Sequence, residues 1–499
     1  MRPLFKVNLG ISIIAGALAP LALAPNNLWP LALVSVGLFY YTLKQCSNKL
    51  KATALGLAYG LGYFGVGVSW VFVSMVDHSN THWLLAGLLT FLFCGGLALL
   101  YALFAAIFCG FKTHHQYPSL LFIGLWISFD LLRGWLLTGF PWLYLGYAGT
   151  HTFMAGYAPV LGVHGVTLAL LVSSLLAFGV QAKLQFRLLW LGLLWGLGYG
   201  LSGIAWTQPS SQEPIKVTLL QANVSLEKKW LPETLAPTLS YYFKQSYLHL
   251  DSDLIVWPET AIATYWDKVA PSFKPLMALA KAQNTQIVSG TVIRQSTNLR
   301  ANYYNGLVAF GAQQGQYYKQ RLVPFGEYVP LETWLRGSID YFDLPMSAFK
   351  LPTQKQDLLT QNIAIAGNIC YEIAYPQLVA QQAGAAEIIL TVSNDTWFEH
   401  SLAPFQHLQM AQMRALENAK PVVRATNSGV SALINASGEI THIAPLYQQA
   451  ALTGKVTLMS GQTPYNTGLN WPIFFLSLGL IMCGLRRYLV GFLPIRMKA

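Results

Sequence analysis

The chain has 499 residues, of which 54% are hydrophobic and only 10% are charged. A soluble domain averages roughly 25% charged residues, so this composition excludes an entirely soluble protein and indicates a membrane protein with a soluble part. The formal net charge is +11, but the basic residues are spread between apolar segments, which fits membrane topology and leads us to expect no nucleic-acid partner.

Eight apolar stretches are candidates for membrane-spanning helices, which need roughly 17–25 apolar residues each. They are approximately Val7–Ala24, Leu28–Leu43, Ala54–Val76, Trp83–Phe111, Ser119–Leu137, Ala155–Val180, Leu188–Trp206 and Leu469–Leu485. We therefore predict a multi-pass α-helical membrane domain of about eight spans. The first stretch could instead be a signal peptide, since Arg2 and Lys6 precede it, but the second apolar stretch follows almost at once, as in a helical hairpin.

The loops between these stretches predict the orientation of the chain, because Lys and Arg mark the cytoplasmic side. Alternate loops and the termini carry twelve basic residues, namely Arg2, Lys6, Lys44, Lys49, Lys51, Lys112, Lys183, Arg187, Arg486, Arg487, Arg496 and Lys498. The opposite short loops carry only Arg133. We therefore expect both termini in the cytoplasm and the long segment from Thr207 to Thr467 on the outer face, which in a bacterium is the periplasmic face of the inner membrane.

Two features of the helical part have alternative interpretations. Gly60, Gly62 and Gly65 spell GxGxxG, but no strand precedes them, so close helix packing is favoured over a nucleotide site. Asp130 and Arg133 lie near the outer end of the fifth stretch and precede an aromatic run at residues 139–147, which we expect to form an interface belt. Arg133 either holds a lipid phosphate or pairs with Asp130.

From Thr207 onward the pattern changes to short β-rich runs separated by helical stretches. The runs are Val217–Gln221, Leu254–Trp257, Gln286–Val292, Gly306–Phe310, Ile363–Ile369, Ile388–Val392, Val422–Ala425 and Val430–Ile434. Helical stretches include Lys268–Gln283 and Pro404–Ala419, and residues 435–438 are typical of a hairpin turn. The alternation predicts an α/β domain of two sheet layers covered by helices, at residues 207–467, between helices in 1–206 and a final span and tail in 468–499.

Reactive groups stand at the ends of these strands. Glu259 comes just past one apolar strand, and Cys370 ends another. Lys319 precedes the stretch LVPFGE, which ends at Glu327. A thiol can be a nucleophile, a carboxylate can take its proton, and an ammonium can stabilise an oxyanion. Singly, each has a plainer explanation: a helix-start carboxylate, a small buried cysteine, a solvated lysine, or a Glu327–Arg321 pair.

Together these stretches resemble a known family. WPE at Trp257–Glu259, KxxLVPFGE at Lys319–Glu327 and ICYE at Ile369–Glu372 are similar to the Glu-Lys-Cys signature of the nitrilase superfamily. With eight spans, NDTWF at Asn394–Phe398 and the run Pro404–Glu417, the chain most resembles the apolipoprotein N-acyltransferases, integral membrane enzymes that complete bacterial lipoproteins. The resemblance covers nearly the whole chain and implies a nitrilase-like αββα sandwich for the soluble domain.

The resemblance also implies roles for individual residues. Cys370 would be the nucleophile, Glu259 the general base and Lys319 the oxyanion stabiliser. The supporting residues would be a second essential carboxylate and two close neighbours of the nucleophile, namely Glu327, Tyr371 and Glu372. Positions that bind substrate or lipid would be Trp230 on a mobile arm, Asn305, Arg133, Trp334 and Trp397.

Two positions depart from the family's pattern, and one long segment has two interpretations. Glu399 follows Phe398 where family members usually have Gly, and Asp130 stands where Glu is more frequent. The apolar arm Leu331–Phe349 either dips into the bilayer surface and shields the site from water or is an ordinary packed loop.

The implied reaction is acyl transfer from a membrane phospholipid, through a Cys370 thioester, to the α-amine of the diacylated cysteine that begins an apolipoprotein. We expect neither cofactor nor metal, because the chain has no phosphate-binding loop and its five cysteines show no metal-ligand spacing. A membrane-anchored nitrilase-like amidohydrolase is the first alternative, although eight spans favour lipid handling. A transporter or receptor is the second, but no span carries a row of ionisable residues.

Overall fold

The computed structural model describes residues 2–78, 81–112, 117–297, 300–324, 326–328, 349–353, 359–360, 362–398 and 400–492. The chain divides into two compact units. We call the first, formed by Met1–Ile204, His400–Gln409 and Gly468–Ala499, the helical unit. The second, formed by Ala205–Glu399 and Met410–Thr467, is the sheet unit. Trp334, Glu399 and residues 331–348 of the apolar arm lie outside the described residues.

A helix lies in each stretch predicted to span a membrane. The helices in chain order are α1 (Arg2–Leu21), α2 (Pro30–Gln45), α3 (Lys49–Gly67), α4 (Val71–His78), α5 (Trp83–Phe111), α6 (Pro118–Arg133), α7 (Ala158–Ser174), α8 (Leu184–Ser202), α9 (Leu226–Lys229), α10 (Pro232–Leu248), α11 (Trp266–Val269), α12 (Lys274–Ala282), α13 (Pro376–Ala383), α14 (Ala403–Asn418), α15 (Pro464–Gly468) and α16 (Trp471–Phe492). The third predicted stretch is broken, because α3 and α4 are bent by 49°.

Not all of these helices have the length of a membrane span. The segments Leu4–Leu21, Trp83–Phe111 and Phe153–Gly179 are long and apolar enough to cross a membrane. The bent pair of α3 and α4 makes a fourth if it counts as one span. The helices α2 and α6 have 16 residues each, which is just below the usual length of about 17–25 residues. The number eight therefore stays a prediction.

The GxGxxG glycines mark close helix packing. A Cβ added at Gly60 would lie 2.6 Å from the Cα of Ala98 on α5. One added at Gly62 would lie 2.2 Å from the carbonyl oxygen of Ile13 on α1. Any larger residue at these two positions would push the neighbouring helix backbone away. The packing interpretation is confirmed for them, whereas a Cβ at Gly65 would meet no atom within 4 Å.

The expectation that the aromatic run at residues 139–147 forms an interface belt is wrong for its central residues. Trp142, Tyr144 and Tyr147 are at most 2% exposed inside the helical unit. The indole nitrogen of Trp142 donates a hydrogen bond of 2.7 Å to Oε1 of Gln406. The polar atom of Trp142 therefore has its partner within the protein, and the three rings are enclosed by protein and not by lipid headgroups.

The strands belong to the sheet unit. In chain order they are β1 (Gln208–Pro209), β2 (Ile215–Gln221), β3 (Leu254–Val256), β4 (Ile262–Tyr265), β5 (Gln286–Thr297), β6 (Arg300–Gly311), β7 (Gly315–Tyr318), β8 (Ile365–Ile369), β9 (Ile388–Ser393), β10 (Val422–Thr426), β11 (Ala432–Ile434), β12 (Ile440–Ile443), β13 (Ala450–Val456) and β14 (Met459–Ser460). The predicted hairpin turn at residues 435–438 joins β11 to β12, with Gly438 at φ +79°.

The strands form two main sheets. The seven-stranded sheet has the order β13-β2-β3-β5-β6-β7, with β4 paired to β5, and the five-stranded sheet has the order β12-β11-β10-β9-β8. The strands β2, β3 and β5 are parallel neighbours, and so are β8, β9 and β10. The carboxyl ends of each parallel set therefore meet at one edge of their sheet, where side chains on the following turns can converge.

Two apolar layers hold the sheet unit together. One contains buried residues of both sheets, such as Val256 and Val288 of the larger and Leu390 of the smaller. The other packs Trp257 and further residues of the larger sheet against α10 and α12, for example against Leu276. Full burial of one large apolar side chain stabilises the folded state by roughly 1.5–3 kcal/mol. The predicted two sheet layers with helical cover are confirmed.

Candidate active site

Cys370 stands at the carboxyl end of β8, where the sequence placed it. It is the first residue of a 3-10 helix, Cys370–Ala374, and its side chain is part-exposed. Its φ is +52°, a backbone region that residues other than glycine rarely adopt. Such strain persists only where the surroundings fix the conformation, and it is common at functional sites. The sharp turn presents the thiol at the edge of the sheet.

Glu259 follows β3 on a turn that the neighbouring strand holds closely. The main-chain nitrogen of Trp257 donates a 2.8 Å hydrogen bond to Val288 of β5, and the Trp257 ring is fully buried. Gly290, also in β5, lies directly against the turn, because an added Cβ would be 2.5 Å from the nitrogen of Thr260. Glu259 itself is only 6% exposed, so its carboxylate depends on protein partners.

Lys319 lies between two carboxylates. It follows β7 and is 1% exposed. Its Nζ is 3.4 Å from Oε1 of Glu259 and 2.9 Å from the carboxylate of Glu327. These contacts exclude the plainer explanations of a solvated lysine and of Glu327 as a partner of Arg321. The two acidic side chains instead share one buried cation.

Asn305 of β6 ties the same two carboxylates together. Its Nδ2 donates 2.8 Å hydrogen bonds to Oε1 of Glu259 and to Oε1 of Glu327. Glu259 also accepts a 2.9 Å hydrogen bond on Oε2 from the main-chain nitrogen of Asn394, the residue after β9. The carboxylate of Glu259 is therefore held by an amide, an ammonium and a main-chain N–H.

The charges of this cluster set the protonation of the nucleophile and of the lysine. Burial, reinforced by the Glu259 carboxylate, raises the pKa of the Cys370 thiol above its usual range, while Lys319 opposes the shift. Burial alone would lower the pKa of Lys319, but the Glu327 and Glu259 carboxylates raise it above its usual range. The sulfur therefore rests as a thiol that needs a base, beside a lysine that stays charged.

Glu372 connects the two strand ends that carry Lys319 and Cys370. Its carboxylate accepts main-chain hydrogen bonds from Gln320 (2.5 Å), from Arg321 (3.2 Å) and from Ile369 (2.7 Å). Burial raises the pKa of Glu372 to about 7, although the main-chain donors oppose the shift. A carboxylate in this place links the two strand ends, and its supporting role in the reaction stays a prediction.

The other predicted side chains of the sheet unit lie farther from this network of contacts. The ring of Tyr371 packs edge-on against Tyr375 at 5.1 Å. Trp230 directly follows α9 and is 36% exposed. Trp397 is half-buried on the 3-10 helix Asp395–Phe398. Their roles stay predictions.

In the helical unit, Arg133 pairs with Asp130. Its Nη2 is 2.9 Å from Oδ1 of Asp130, and both residues are 4% exposed. Its guanidinium carbon also lies 4.8 Å from the ring centre of Tyr144. This geometry favours the internal pair between the two interpretations of Arg133, because partners of its guanidinium are already supplied by the protein.

Two contributions to the site were missed from the sequence. The first is the hydrogen bond from the main-chain N–H of Asn394, which no side-chain type in the sequence indicates. The neighbouring Asp395 is paired with Arg424, whose Nη2 lies 2.6 Å from Oδ2 of Asp395. Lys229 is buried, and its Nζ donates a 2.9 Å hydrogen bond to the carbonyl oxygen of Glu259. A lysine beside an exposed tryptophan in a polar run gives no hint of burial, so only the folded chain reveals this bond.

Comparisons with known proteins identify the families that this chain resembles. The family model described as "Carbon-nitrogen hydrolase" matches residues 216–463, which assigns the sheet unit to that class of fold. The model described as "Apolipoprotein N-acyltransferase N-terminal domain" matches residues 15–176. Among solved structures, a carbon-nitrogen hydrolase from Helicobacter pylori G27 aligns with a TM-score of 0.37 and 15% identity, covering 57% of this chain and 99% of that one.

Curated relatives match over almost the full chain. The apolipoprotein N-acyltransferase of Pseudomonas syringae pv. tomato is 41% identical over 488 residues, covering 96% of both chains. That of Azotobacter vinelandii is 41% identical over 498 residues, covering 97% of this chain and 96% of its own. The chain belongs to the apolipoprotein N-acyltransferase family. This membership favours lipoprotein N-acylation over the amidohydrolase and transporter alternatives.

Proposed function

We propose that the protein transfers an acyl chain from a membrane phospholipid, through a thioester on Cys370, to the N-terminal α-amine of the diacylglyceryl-cysteine of apolipoproteins. This is the last step of bacterial lipoprotein maturation. In this proposal Cys370 is the nucleophile, Glu259 the general base and Lys319 the oxyanion stabiliser. The observation that carries it is the buried Lys319 ammonium between the Glu259 and Glu327 carboxylates, in a member of this family.

In the first step Cys370 attacks the carbonyl carbon of a phospholipid ester. Glu259 takes the thiol proton as the carbon–sulfur bond forms, and Lys319 faces the negative charge that develops on the carbonyl oxygen. The carbon–oxygen bond of the ester then breaks, and the proton on Glu259 passes to the leaving oxygen of the lysophospholipid. The enzyme is left with a thioester, which amines cleave far more readily than an oxygen ester.

In the second step the α-amine of the apolipoprotein attacks the thioester. An α-amine has a pKa near 8, so a useful fraction is the neutral nucleophile at neutral pH. Glu259 takes a proton from the attacking nitrogen, the carbon–sulfur bond breaks, and the sulfur recovers a proton. The product is an amide, and the enzyme returns to its starting state without outside energy.

The supporting residues act through these three. Glu327 and Asn305 hold Glu259 and Lys319 in register, because each contacts one or both of them within 3.0 Å. Glu372 keeps the ends of β7 and β8 together, and we assign Tyr371 to the immediate surroundings of the nucleophile. Substrate contacts are proposed for Trp230, Asn305, Trp334 and Trp397, whereas Arg133 of the helical unit is assigned to its internal pair with Asp130.

The membrane setting supports a lipid donor. The helical unit exposes large apolar side chains, among them Leu84, Leu88 and Phe91 of α5, and such contiguous apolar surface favours contact with lipid. We propose about eight spans in residues 1–206 and 468–499, with both termini in the cytoplasm. The catalytic domain, residues 207–467, then faces the periplasm of an inner-membrane protein, where a bilayer phospholipid is the available acyl source.

The test is to isolate the thioester. Purified protein incubated with phospholipid alone should gain one acyl chain on the peptide that contains Cys370, and neutral hydroxylamine should remove it. Adding a diacylated lipopeptide should discharge the chain into an N-acylated product, read by mass spectrometry. Cys370→Ala should carry no chain and make no product, whereas Cys483→Ala, at an exposed cysteine of α16, should behave as the parent. N-acylated product from Cys370→Ala would show that the reaction does not pass through a thioester on Cys370.

A further inference from the structure

Lys229 is buried beside the proposed base without any role assigned to it so far. It ends the short helix α9 and is 7% exposed, whereas its neighbours Glu227 and Lys228 are exposed. Lysine is almost never buried unless it is paired. Its burial therefore requires an explanation from its contacts.

The contact that holds Lys229 is with Glu259 itself. Its Nζ donates a 2.9 Å hydrogen bond to the main-chain carbonyl oxygen of Glu259. The next residue, Thr260, has a φ of +50°, so the turn that carries the base is a strained one. A charged donor to its carbonyl is a strong bond in such a place, and it helps to fix the direction in which the Glu259 side chain leaves the backbone.

A small polar cavity adjoins the ammonium. Its volume is about 10 Å³, and its lining includes Lys229, Thr238, Tyr242 and Thr260. The hydroxyl of Tyr242 is buried and has no hydrogen-bond partner among the described residues. This volume is at the lower limit of what one water molecule occupies. The ammonium therefore lies beside a small space that also borders the Tyr242 hydroxyl.

The electrostatic surroundings of Lys229 are equally specific. Burial lowers the pKa of Lys229 to about 8, and the charges of Glu259 and Cys370 oppose that shift. The titratable groups that face it are these two and Tyr242, since Glu227 and Lys228 on its own helix point to solvent. The amine is thus protonated at neutral pH and below, next to an acidic cluster.

The two carboxylates of the cluster share one enclosed cation. Glu259 and Glu327 both contact the ammonium of Lys319 and the amide of Asn305. Like charges repel each other, and the repulsion is stronger at a buried site than in water. Lys229 supplies a second positive charge on the main-chain side of Glu259.

We propose that Lys229 is a positioning residue for acylation, which fixes the turn of Glu259 and places a second buried positive charge beside it. This inference rests on the proposed function. It predicts that removing the charge harms the enzyme most below about pH 8, where the parent lysine is protonated. At high pH the parent lysine is itself neutral and the difference fades.

The experiment measures single-turnover acylation of Cys370 by phospholipid in mixed micelles from pH 5.5 to 9.5, with no amine substrate present. Lys229→Gln keeps a hydrogen-bond donor without the charge, Lys229→Met removes both, and Lys229→Arg keeps a charge that does not titrate. Lys228→Met is the control, because that neighbour is exposed. Thermal melting checks that each variant is folded.

We expect Lys229→Gln to lose about tenfold or more of the acylation rate at pH 6 and less than about threefold at pH 9.5, since the parent lysine is charged at the lower pH and neutral at the higher one. Lys229→Met should show the same pH dependence with a lower maximal acylation rate. Lys229→Arg and Lys228→Met should have the same acylation rates as the parent at low pH. Glu372 titrates in every variant, so only differences between variants count.

The outcomes separate this inference from the function on which it rests. A parent enzyme that forms no thioester at any pH overturns the proposed function. The parent enzyme can also form the thioester while the acylation rate of Lys229→Gln is unchanged, or is reduced equally at all pH values. That result overturns the role of Lys229 alone. If Lys229→Met does not fold, Lys229→Gln still decides the question.

Discussion

Lys319 is enclosed by the protein, so we expect a change in the shape of its side chain to impair the reaction. Its ammonium is fully enclosed and touches two carboxylates. Lys319→Arg keeps the charge but replaces a compact point donor with a planar fork that does not fit the same space. We expect the rate of thioester formation to fall by more than about 100-fold, which is the scale of a lost oxyanion donor. Mass spectrometry of the acylated peptide measures it.

The control for this substitution is Lys281→Arg, at an exposed lysine of α12. It should acylate as the parent does. Near-normal acylation by Lys319→Arg would mean that the lysine only balances charge, and the oxyanion role would have to move to another donor.

The buried charge of Lys229 also leads us to expect a pH dependence of the free energy of unfolding. The lowering of its pKa from 10.5 to about 8 corresponds to roughly 3 kcal/mol of unfavourable free energy for the buried charge. Between these two values the unfolded chain binds more protons than the folded one, so the folded parent gains stability as pH rises. Lys229→Met lacks this gain. Thermal melts should therefore show the parent improving relative to Lys229→Met between pH 8 and 10, and a constant difference would contradict the buried-charge account.

At the scale of single residues, the sequence predicted where the reactive residues lie along the strands better than it predicted their hydrogen-bond partners and burial. Cys370 and Glu259 lie after β8 and β3 as the apolar runs indicated, because a strand end can be read from hydrophobicity alone. The hydrogen bond from the Asn394 main chain and the burial of Lys229 could not be predicted in this way. Both depend on residues far apart in sequence, and neither changes the pattern of side chains along the chain.

At the scale of elements, β5 positions the base through its glycine. Gly290 has no room for a side chain, since an added Cβ would lie 2.7 Å or less from the main chain of Pro258, Glu259 and Thr260. We expect Gly290→Ala to displace the turn and cut acylation by about 100-fold, because an active-site group misplaced by about 1 Å costs that much. The melting temperature should fall less severely than the rate. Gly384→Ala, where the nearest contact is 3.4 Å to a side chain, is the control.

The differences between predicted and observed elements have identifiable causes. The predicted helix Lys268–Gln283 is split into α11, a 3-10 turn at Ala270–Phe273 and α12, because Pro271 and Pro275 each remove a main-chain donor. The hairpin of β5 and β6 is longer than predicted, since its polar ends do not show the apolar pattern. The helix α10 was not among the helices named from the sequence, because it contains two prolines, Pro232 and Pro237.

At the scale of the whole molecule, composition predicted the membrane part but not its packing. The apolar stretches coincide with helices α1 to α8 and α16 of the helical unit, whereas the burial of Trp142 and Tyr144 contradicted the expected aromatic belt. Hydropathy reports how much apolar surface a segment carries. It does not report which side of a helix faces lipid and which side faces another helix.

The orientation of the chain is the prediction with the widest consequence, because it decides which substrates can reach Cys370. Twelve basic residues in alternate loops and termini against Arg133 alone predict that the sheet unit lies outside the cytoplasm. An alkaline phosphatase fusion after Gln208 should be active, since that enzyme matures only outside the cytoplasm, and a fusion after Lys112 should be silent. β-Galactosidase fusions at the same two points should give the reverse pattern. Phosphatase activity after Lys112 with silence after Gln208 would put the catalytic domain in the cytoplasm, where soluble acyl donors are available and a membrane phospholipid would no longer be the necessary source.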